Sequence, residues 1–453
     1  MKLKFTDLIS PTGKIDRAEY IFWGIVLFAI KYNIDRIIAY QLFHQNWRIW
    51  EYFFPVKANL SIQENRNFLI ALLIAALPFI WTGCVLTIRR LRSSGMPVWL
   101  VILFFVPIVN LFFFAILALL PPKEVNIRTV HVDEGSRLTN LIPRSRAGSA
   151  FVAVLLNALS AVVFTRFSAQ TLNQYGWGLF VGLPFCIGLT SSLIYSYHQY
   201  RKWAECIAVA LLSMGMAGLI LFIVAFEGVI CLIMAAPVLG VLSIVGGTLG
   251  YAVQFHRDAA PKLYCVSNVM LFAIMMIQAV SHPQPTMFSV KTSIEIEAPP
   301  QTVWNHVVSF SELSSPREWI FKTGIAYPIR AEIHGRGAGA VRHCVFSTGS
   351  FVEPITVWDE PRLLRFGVLK NPAPMQEWTI YEDIHPRHLD GFFLSQQGQF
   401  QLKSISDNRT LLEGTTWYYH NLWPESYWRV WSDLIIHNIH LRVLKHIKKT
   451  AES

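Results

Sequence analysis

Charged residues are scarce in this sequence. Lys, Arg, Asp and Glu together make up 15% of 453 residues, whereas 53% of the residues are hydrophobic. Soluble domains usually contain about a quarter charged residues. This shortage argues against an ordinary soluble protein, and with a positive mean hydropathy it predicts a membrane protein with more than one domain.

Acidic residues are the scarcer of the two signs, with 29 Asp and Glu against 39 Lys and Arg and a net charge of +10. We assign the excess to Lys and Arg at the cytoplasmic ends of membrane spans. The sequence contains no basic helix or nucleic-acid recognition motif, so we expect no nucleic-acid partner.

Motifs for metals and cofactors are also missing. The six cysteines include no CxxC pair, and five of them lie in apolar segments, which predicts neither a disulfide framework nor a zinc site. No GxxxxGK[ST] loop occurs, and the glycines of "GRGAG" (335–339) fall between two predicted strands, unlike a dinucleotide fingerprint. We therefore expect no metal and no cofactor. The first twenty residues are polar and lack the pattern of a signal peptide.

Long apolar runs dominate the first 281 residues. About eight of them are long enough to cross the roughly 30 Å hydrocarbon core of a bilayer. The predicted spans are Tyr20–Leu42, Phe68–Ile88, Val98–Leu120, Ala147–Phe164, Trp177–Tyr197, Trp203–Phe226, Val229–Phe255 and Leu263–Ser281.

The pattern changes after a proline-marked linker, "HPQPTM" (282–287). "FSVKTSIEIEAPP" alternates apolar and polar residues, which predicts a strand, and Pro300 suits the start of a short helix. Six more strand-like runs follow, and Pro424 opens a long helix that ends near Lys449. The sequence thus predicts an α+β domain in which one helix lies on a curved antiparallel sheet.

Charges near the first and second spans form two groups. Lys31 and Asp35 lie four residues apart in the first span, so they share a helix face and can pair; an ion or proton path is the functional alternative. Arg89, Arg90 and Arg92 end the second span. They fit the positive-inside rule, and binding of anionic lipid headgroups is the alternative.

The segments "GKIDRAEYIFW", "RRL" and "PIV" carry a resemblance to the bacterial inner-membrane family called domain of unknown function 805. The sequence departs from that family at Arg92-Ser93, where the family has His-Asp, and at Asn110, where glycine is frequent. The resemblance covers about residues 1–125 and implies a three-span domain in a bacterial cell membrane, without an activity. Residues 126–283 form a five-span region that contains no motif.

The C-terminal part resembles the START-like SRPBCC superfamily, which includes polyketide cyclases and lipid-transport proteins. "TSIEIEAPPQTVWNHVVSF" matches its opening strand and helix, and "GQFQL" with "RTLLEGTTWY" matches its last two strands. The resemblance covers residues 287–453 and implies a helix-grip fold, with an apolar cavity between the sheet and the C-terminal helix.

Aromatic residues crowd the stretch "EGTTWYYHNLWPESYWRVW" (413–431). If the last strand and the gripping helix face each other, these side chains line or close the mouth of the cavity, although plain core packing is the alternative. Acidic residues in the domain are further candidates for contact with a ligand. The predicted ligand-binding residues are Trp417, Tyr419, Tyr427, Trp428, Trp431, Glu353 and Glu377; no catalytic or metal-binding residue is assigned.

Three functions remain open. We favour a membrane protein whose soluble domain binds a hydrophobic small molecule (a lipid, isoprenoid or polyketide), with membrane lipids as partners. The second is an enzyme of the polyketide cyclase or hydrolase type that uses the same cavity, with Glu353, Glu377 and His343 as candidate groups. The third is a transporter with a ligand-sensing domain.

The predicted location is the bacterial inner membrane, with several spans and a cytoplasmic C-terminal domain. Eight spans and the basic residues around the first two spans favour this topology. The basic loop after the third span favours the opposite one, and the sequence leaves the oligomeric state open.

Overall fold

A computed structural model describes residues 8–52, 66–122, 142–256, 259–281, 285–381, 384 and 386–453. The chain divides into two compact units. The first comprises residues 1–172, 176–220 and 236–284, and the second comprises residues 173–175, 221–235 and 285–453. The loop used above as an argument for the opposite topology lies mostly outside the described residues.

Long apolar helices dominate the sequence up to residue 281. They are α1 (Arg17–Phe43), α2 (Arg66–Ser94), α3 (Val109–Leu119), α4 (Arg146–Arg166), α5 (Leu183–Tyr195), α6 (Trp203–Ile223), α7 (Val229–Val253) and α8 (Ala260–Ser281). Within the described ranges, six helical segments are long and apolar enough to cross a membrane: Arg66–Ser94, Arg146–Thr171, Gly178–Tyr195, Trp203–Ile223, Val229–Val253 and Ala260–Ser281. The predicted multi-span membrane class is confirmed.

Two of the eight predicted spans are not among these six. The first, α1, is a continuous helix of 27 residues, but it contains Lys31, Asp35 and Arg36. The third is split into a 3-10 helix, Val98–Phe105, and α3. The break falls at Pro107, which cannot donate a backbone hydrogen bond, and at Ile108, whose φ is +68°.

The predicted pair within α1 is present. Lys31 donates to the Asp35 carboxylate, Asp35 is 1% exposed, and the Tyr52 hydroxyl donates to the same oxygen. A buried carboxylate with two donors is stabilised without water. An ion or proton path along this pair stays a prediction.

Arg90 binds protein groups. Its side chain is fully buried, and it donates from Nε to the Leu117 carbonyl at 2.9 Å and from Nη2 to the Leu120 carbonyl. These carbonyls lie at the end of α3, where a helix leaves its last acceptors without intrahelical partners. Arg90 therefore closes the end of α3. Its contacts favour this structural role over the alternative of binding lipid headgroups.

A seven-stranded antiparallel sheet forms most of the second unit. Its strands are β1 (Phe288–Ile296), β2 (Pro328–His334), β3 (Val341–Phe346), β4 (Gly349–Asp359), β5 (Leu363–Gly367), β6 (Phe393–Ser406) and β7 (Arg409–His420), and their order is β1-β7-β6-β5-β4-β3-β2. Most of these strands coincide with runs in which apolar residues alternate, and Gly, Pro, Asp or Asn residues lie near their ends. All the predicted strands are confirmed within a few residues.

Two helices pack on the sheet. Helix α9 (Pro300–Val308) begins at the predicted proline, and helix α10 (Glu425–Ala451) follows Pro424. Both belong to one core, in which Trp304 of α9 and Leu444 of α10 are at most 1% exposed. A curled antiparallel sheet that packs on a long C-terminal helix is the helix-grip arrangement, and this part of the predicted fold is confirmed.

Candidate functional site

A cavity lies between the sheet and α10. Its volume is about 110 Å³. One buried water needs roughly 10–15 Å³, so the cavity is large enough for several atoms of a ligand. Helix α10 contributes residues that recur at helical spacing and so share one face. These are Ile436, Ile439, His440 and Val443, and the phenylalanines of the wall are Phe310, Phe346, Phe351, Phe366, Phe393 and Phe400.

An ion pair lies in this apolar wall. Arg342 of β3 and Glu353 of β4 stand directly opposite each other in the sheet register, and Arg342 donates from Nη1 to the Glu353 carboxylate. The two residues are 2% and 6% exposed. Burial raises the pKa of Glu353 above its ordinary value, although the charge of Arg342 opposes this shift.

The guanidinium of Arg342 is enclosed by aromatic rings. Its centre lies 5.5 Å from the ring centroid of Phe310, 5.3 Å from that of Phe366 and 5.6 Å from that of Phe400. The Nε–H of Arg342 is buried and has no hydrogen-bond partner among the described residues. A buried donor without a partner costs free energy, so a polar atom that reached this donor through a small shift of the wall would gain a hydrogen bond.

His440 forms part of the opposite wall. Its Nε2 lies 2.8 Å from the Thr416 hydroxyl and its Nδ1 lies 3.2 Å from the Thr292 hydroxyl. Burial lowers the pKa of His440 to about 4, and neighbouring His437 adds to this effect. The imidazole is therefore neutral at pH 7, and its two nitrogens are occupied by hydroxyls.

The aromatic residues predicted on the last strand face away from the helix. Thr416 contacts His440, and the Tyr418 hydroxyl donates to Asp433 of α10 at 2.6 Å. Because side chains alternate along a strand, Trp417 and Tyr419 point to the other face, and neither lines the cavity. The expected orientation of the strand is corrected: Thr416 and Tyr418 face the helix, not Trp417 and Tyr419. A role of Trp417 and Tyr419 in ligand binding stays a prediction.

The aromatic residues predicted at the start of α10 also lie outside the cavity wall. Trp428 is 6% exposed and precedes Ile436 by two helical turns. Its ring lies edge-on to that of Tyr427 at 5.3 Å, and the Tyr427 hydroxyl donates to the Met234 carbonyl at 2.5 Å. Trp431 is half-buried. A contact of these three residues with a ligand remains a prediction.

The two acidic residues that were predicted to bind a ligand lie at different places in the second unit. Glu353 lines the cavity, whereas Glu377 accepts hydrogen bonds from the backbone N–H groups of Ile230 and Cys231 at 3.0 and 3.2 Å. Burial raises the pKa of Glu377 above its ordinary value. His343 lies between two residues that line the cavity, so it faces the other side of β3, where its ring packs against His334 at 5.6 Å.

Arg342 was absent from the residues predicted to bind a ligand. Its signal in the sequence is a charge at an inward position of an apolar strand, "VRHCVF", opposite a second charge in the next strand. Reading it requires the hairpin register, because a shift of one residue moves both side chains to the other face. The phenylalanines gave no such signal, since any of them fits a plain core.

Two family models match the chain. The model described as a protein of unknown function (DUF805) matches residues 8–128. The model described as polyketide cyclase / dehydrase and lipid transport matches residues 287–406. Both resemblances stated from the sequence are confirmed, and the chain is a multi-pass membrane protein that carries a domain of a ligand-binding fold.

Comparison with curated proteins finds no match. Among solved structures, a point mutant of Thalictrum flavum norcoclaurine synthase with a transition-state analogue is 12% identical, with a TM-score of 0.25 and coverage of 37% of this chain and 96% of that one. The Zhui aromatase/cyclase from Streptomyces sp. R1128 is 14% identical, with a TM-score of 0.23 and coverage of 37% and 94%. Identities and scores this low carry no argument about the activity of this chain.

Proposed function

We propose that the second unit binds a hydrophobic small molecule with one hydrogen-bond acceptor (a lipid, isoprenoid or polyketide-like compound) in the cavity between the sheet and α10. The single observation that carries this proposal is the buried Nε–H of Arg342 in an apolar wall, which has no partner among the described residues. An apolar pocket with few polar groups is the usual form of a small-molecule site. The apolar body packs on the phenylalanines, and its acceptor binds Arg342.

Binding rather than catalysis is the function that the titratable groups of the wall favour. Glu353 is held by Arg342, and His440 is neutral with both nitrogens engaged. Burial raises the pKa of the Cys344 thiol to about 12, which keeps it protonated and unreactive at pH 7. A general acid or base needs a pKa near the working pH and a proton to exchange with the substrate. His440 and Cys344 do not meet the first condition, and the Glu353 carboxylate is engaged by Arg342.

The membrane spans give the binding domain a source of ligand. A hydrophobic compound partitions into the bilayer, so a tethered domain works where its ligand is concentrated. We place the protein in the bacterial inner membrane, with membrane lipids as partners and the C-terminal domain, residues 287–453, on the cytoplasmic side.

The test is mass spectrometry of molecules that co-purify with the full chain after mild extraction. The variant Ile439→Trp fills the cavity from α10, and Val430→Trp is its matched control, because Val430 is 67% exposed on the same helix. We expect a stoichiometric compound in the wild type and the control and a loss of at least tenfold in Ile439→Trp. Equal amounts in all three proteins contradict the proposal, and conversion of the purified compound by the wild type favours the enzyme instead.

A further inference from the structure

Three residues that are far apart in the sequence meet in the second unit: Glu227, Cys231 and His388. The Cys231 Sγ lies 2.7 Å from His388 Nε2, and His388 Nδ1 lies 3.3 Å from the Glu227 carboxylate. Each residue offers one ligand atom, and these three atoms all lie within 4.8 Å of one another. The sequence gives no hint of this group, because 157 residues separate Cys231 from His388.

Local structure holds each member of this Glu227–Cys231–His388 cluster. Glu227 lies in the turn before α7, Cys231 is in the first turn of α7, and His388 is in the 3-10 helix Arg387–Leu389. The Glu377 carboxylate anchors the start of α7 through the hydrogen bonds described above. Gly228 makes this approach possible, because a Cβ at that position would lie 2.1 Å from the Glu377 carboxylate.

Tyr175 fixes two members of the cluster. Its hydroxyl donates to Glu227 at 3.1 Å, and its ring lies edge-on to the imidazole of His388 at 5.3 Å. Glu227 is 7% exposed and His388 is 9% exposed. Packing and the Tyr175 hydroxyl thus restrict the side chains of Glu227 and His388, which favours a preorganised site.

The electrostatics of the cluster favour a cation. Glu227 and Glu377 are both buried, and no Lys or Arg of the described residues forms an ion pair with either of them. Buried carboxylates are normally paired or bound to a metal, and a divalent ion would balance both charges.

The donor atoms are a thiol sulfur, an imidazole nitrogen and a carboxylate oxygen, which are the atoms that zinc prefers in proteins. Three atoms within 4.8 Å of one another always have a point within about 2.8 Å of all of them, and zinc bonds measure about 2.0–2.3 Å. The Met375 thioether lies 3.8 Å from Cys231 Sγ and adds a soft atom beside the site. Metal binding requires small rotations of the side chains, including a separation of Sγ from Nε2, to bring all three donors to bonding distance.

We propose that Cys231, His388 and Glu227 bind a thiophilic divalent metal ion, with Zn²⁺ as the ion that their donor atoms fit. Three protein ligands leave a fourth coordination position open to water or another ligand. The site is separate from the cavity of the proposed function, since none of its residues lines that cavity. Either proposal stands if the other fails.

The test uses the purified full chain, treated with a chelator and then titrated with Co²⁺. We expect one equivalent of Co²⁺ to bind and to produce a thiolate-to-cobalt charge-transfer band, which Zn²⁺ then removes by competition. Cys231→Ser keeps the size of the side chain and should abolish this band and weaken binding at least tenfold. Cys265→Ser is the matched control, because Cys265 is an exposed cysteine of α8, and it should leave both unchanged.

Two further measurements keep the result decisive. Far-ultraviolet circular dichroism of Cys231→Ser should match that of the wild type, and His388→Gln should weaken binding of Co²⁺ as Cys231→Ser does. The proposal is overturned if the wild type binds less than a stoichiometric amount of Co²⁺, or if Cys231→Ser binds it as tightly as the wild type. A Cys231 thiol that reacts rapidly with alkylating reagents and binds no Co²⁺ also overturns it.

Discussion

The ion pair in the cavity wall should respond asymmetrically to removal of its two partners. Glu353→Met leaves the guanidinium of Arg342 buried without a counter-charge, and arginine cannot lose its proton in a protein. Breaking a buried pair in this way costs about 3–5 kcal/mol. For a unit of this size, that corresponds to a fall in melting temperature of about 10 °C.

The loss of stability caused by Arg342→Met has an upper limit, because the remaining Glu353 carboxyl can take up a proton. From an ordinary pKa near 4.3, neutralising a glutamate costs about 3.5 kcal/mol at pH 7 and about 1 kcal/mol at pH 5. The destabilisation by Arg342→Met, measured against the wild type at the same pH, should therefore shrink as the pH falls. That of Glu353→Met should not shrink, because this variant lacks the carboxyl whose raised pKa makes the wild type more stable at the lower pH. The double variant, in which both charges are removed, should lie close to the wild type.

The assay reads the unfolding of this unit at Cys344. This residue of β3 is 6% exposed and lines the cavity beside the ion pair. Labelling by a dipyridyl disulfide during a thermal ramp, quantified on the Cys344 peptide by mass spectrometry, gives a local melting curve at both pH values. Arg330→Met is the control, since Arg330 and Glu332 form an exposed ion pair on β2 and surface pairs contribute little. The reasoning is refuted if both single variants melt like the control, or if the double variant melts as low as Glu353→Met.

Two further predictions concern a buried histidine and a glycine of the membrane unit. The pKa of His440 is lowered to about 4 in the folded protein, against about 6.5 in the unfolded chain. Between these pH values the unfolded chain binds more protons than the folded protein. The free energy of unfolding is therefore at its full value above pH 6.5 and falls below it, by about 2 kcal/mol at pH 5. The Cys344 melting curves should show this loss in the wild type and less of it in His440→Gln. The control is His334→Gln, because His334 is exposed on β2; equal loss in both variants contradicts the assignment. Gly13 has a φ of +93°, and a Cβ there would lie 2.8 Å from Arg89 Nη2, so Gly13→Ala should destabilise the first unit by at least 1–2 kcal/mol. Gly24→Ala in α1, where nothing lies within 4 Å of the new Cβ, is the control and should be neutral or stabilising. Calorimetry of the full chain measures both variants, and equal melting temperatures would falsify this account.

The sequence predicted the local structure of the C-terminal domain well. Alternation and turn residues located all seven strands, and Pro300 and Pro424 located the starts of both helices, because these signals are local. The third membrane span was wrong as a single helix: the break at Pro107 and Ile108 interrupts a run that is apolar throughout, so hydropathy alone does not reveal it.

The candidate site was less predictable. Trp417 and Tyr419 were placed on the helix-facing side of β7, but the strand alternates in the opposite phase, with Thr416 and Tyr418 toward α10. Phase depends on sheet register and on which face is covered, and neither is visible in a strand with aromatic residues on both sides. The Glu227–Cys231–His388 cluster was beyond reach for a simpler reason, since only the tertiary fold brings the three residues together.

In the binding proposed above, the enclosure of Arg342 and Glu353 sets how the cavity would distinguish one molecule from another. A buried pair of opposite charges has no net charge, and dissolved ions screen charges that are exposed to solvent far more than those sealed inside a protein. Attraction at a distance therefore contributes little to capture of a ligand, and ionic strength should hardly alter its affinity. Selectivity rests instead on the length and shape of the apolar body and on the position of one acceptor atom relative to a planar donor that three aromatic rings hold still.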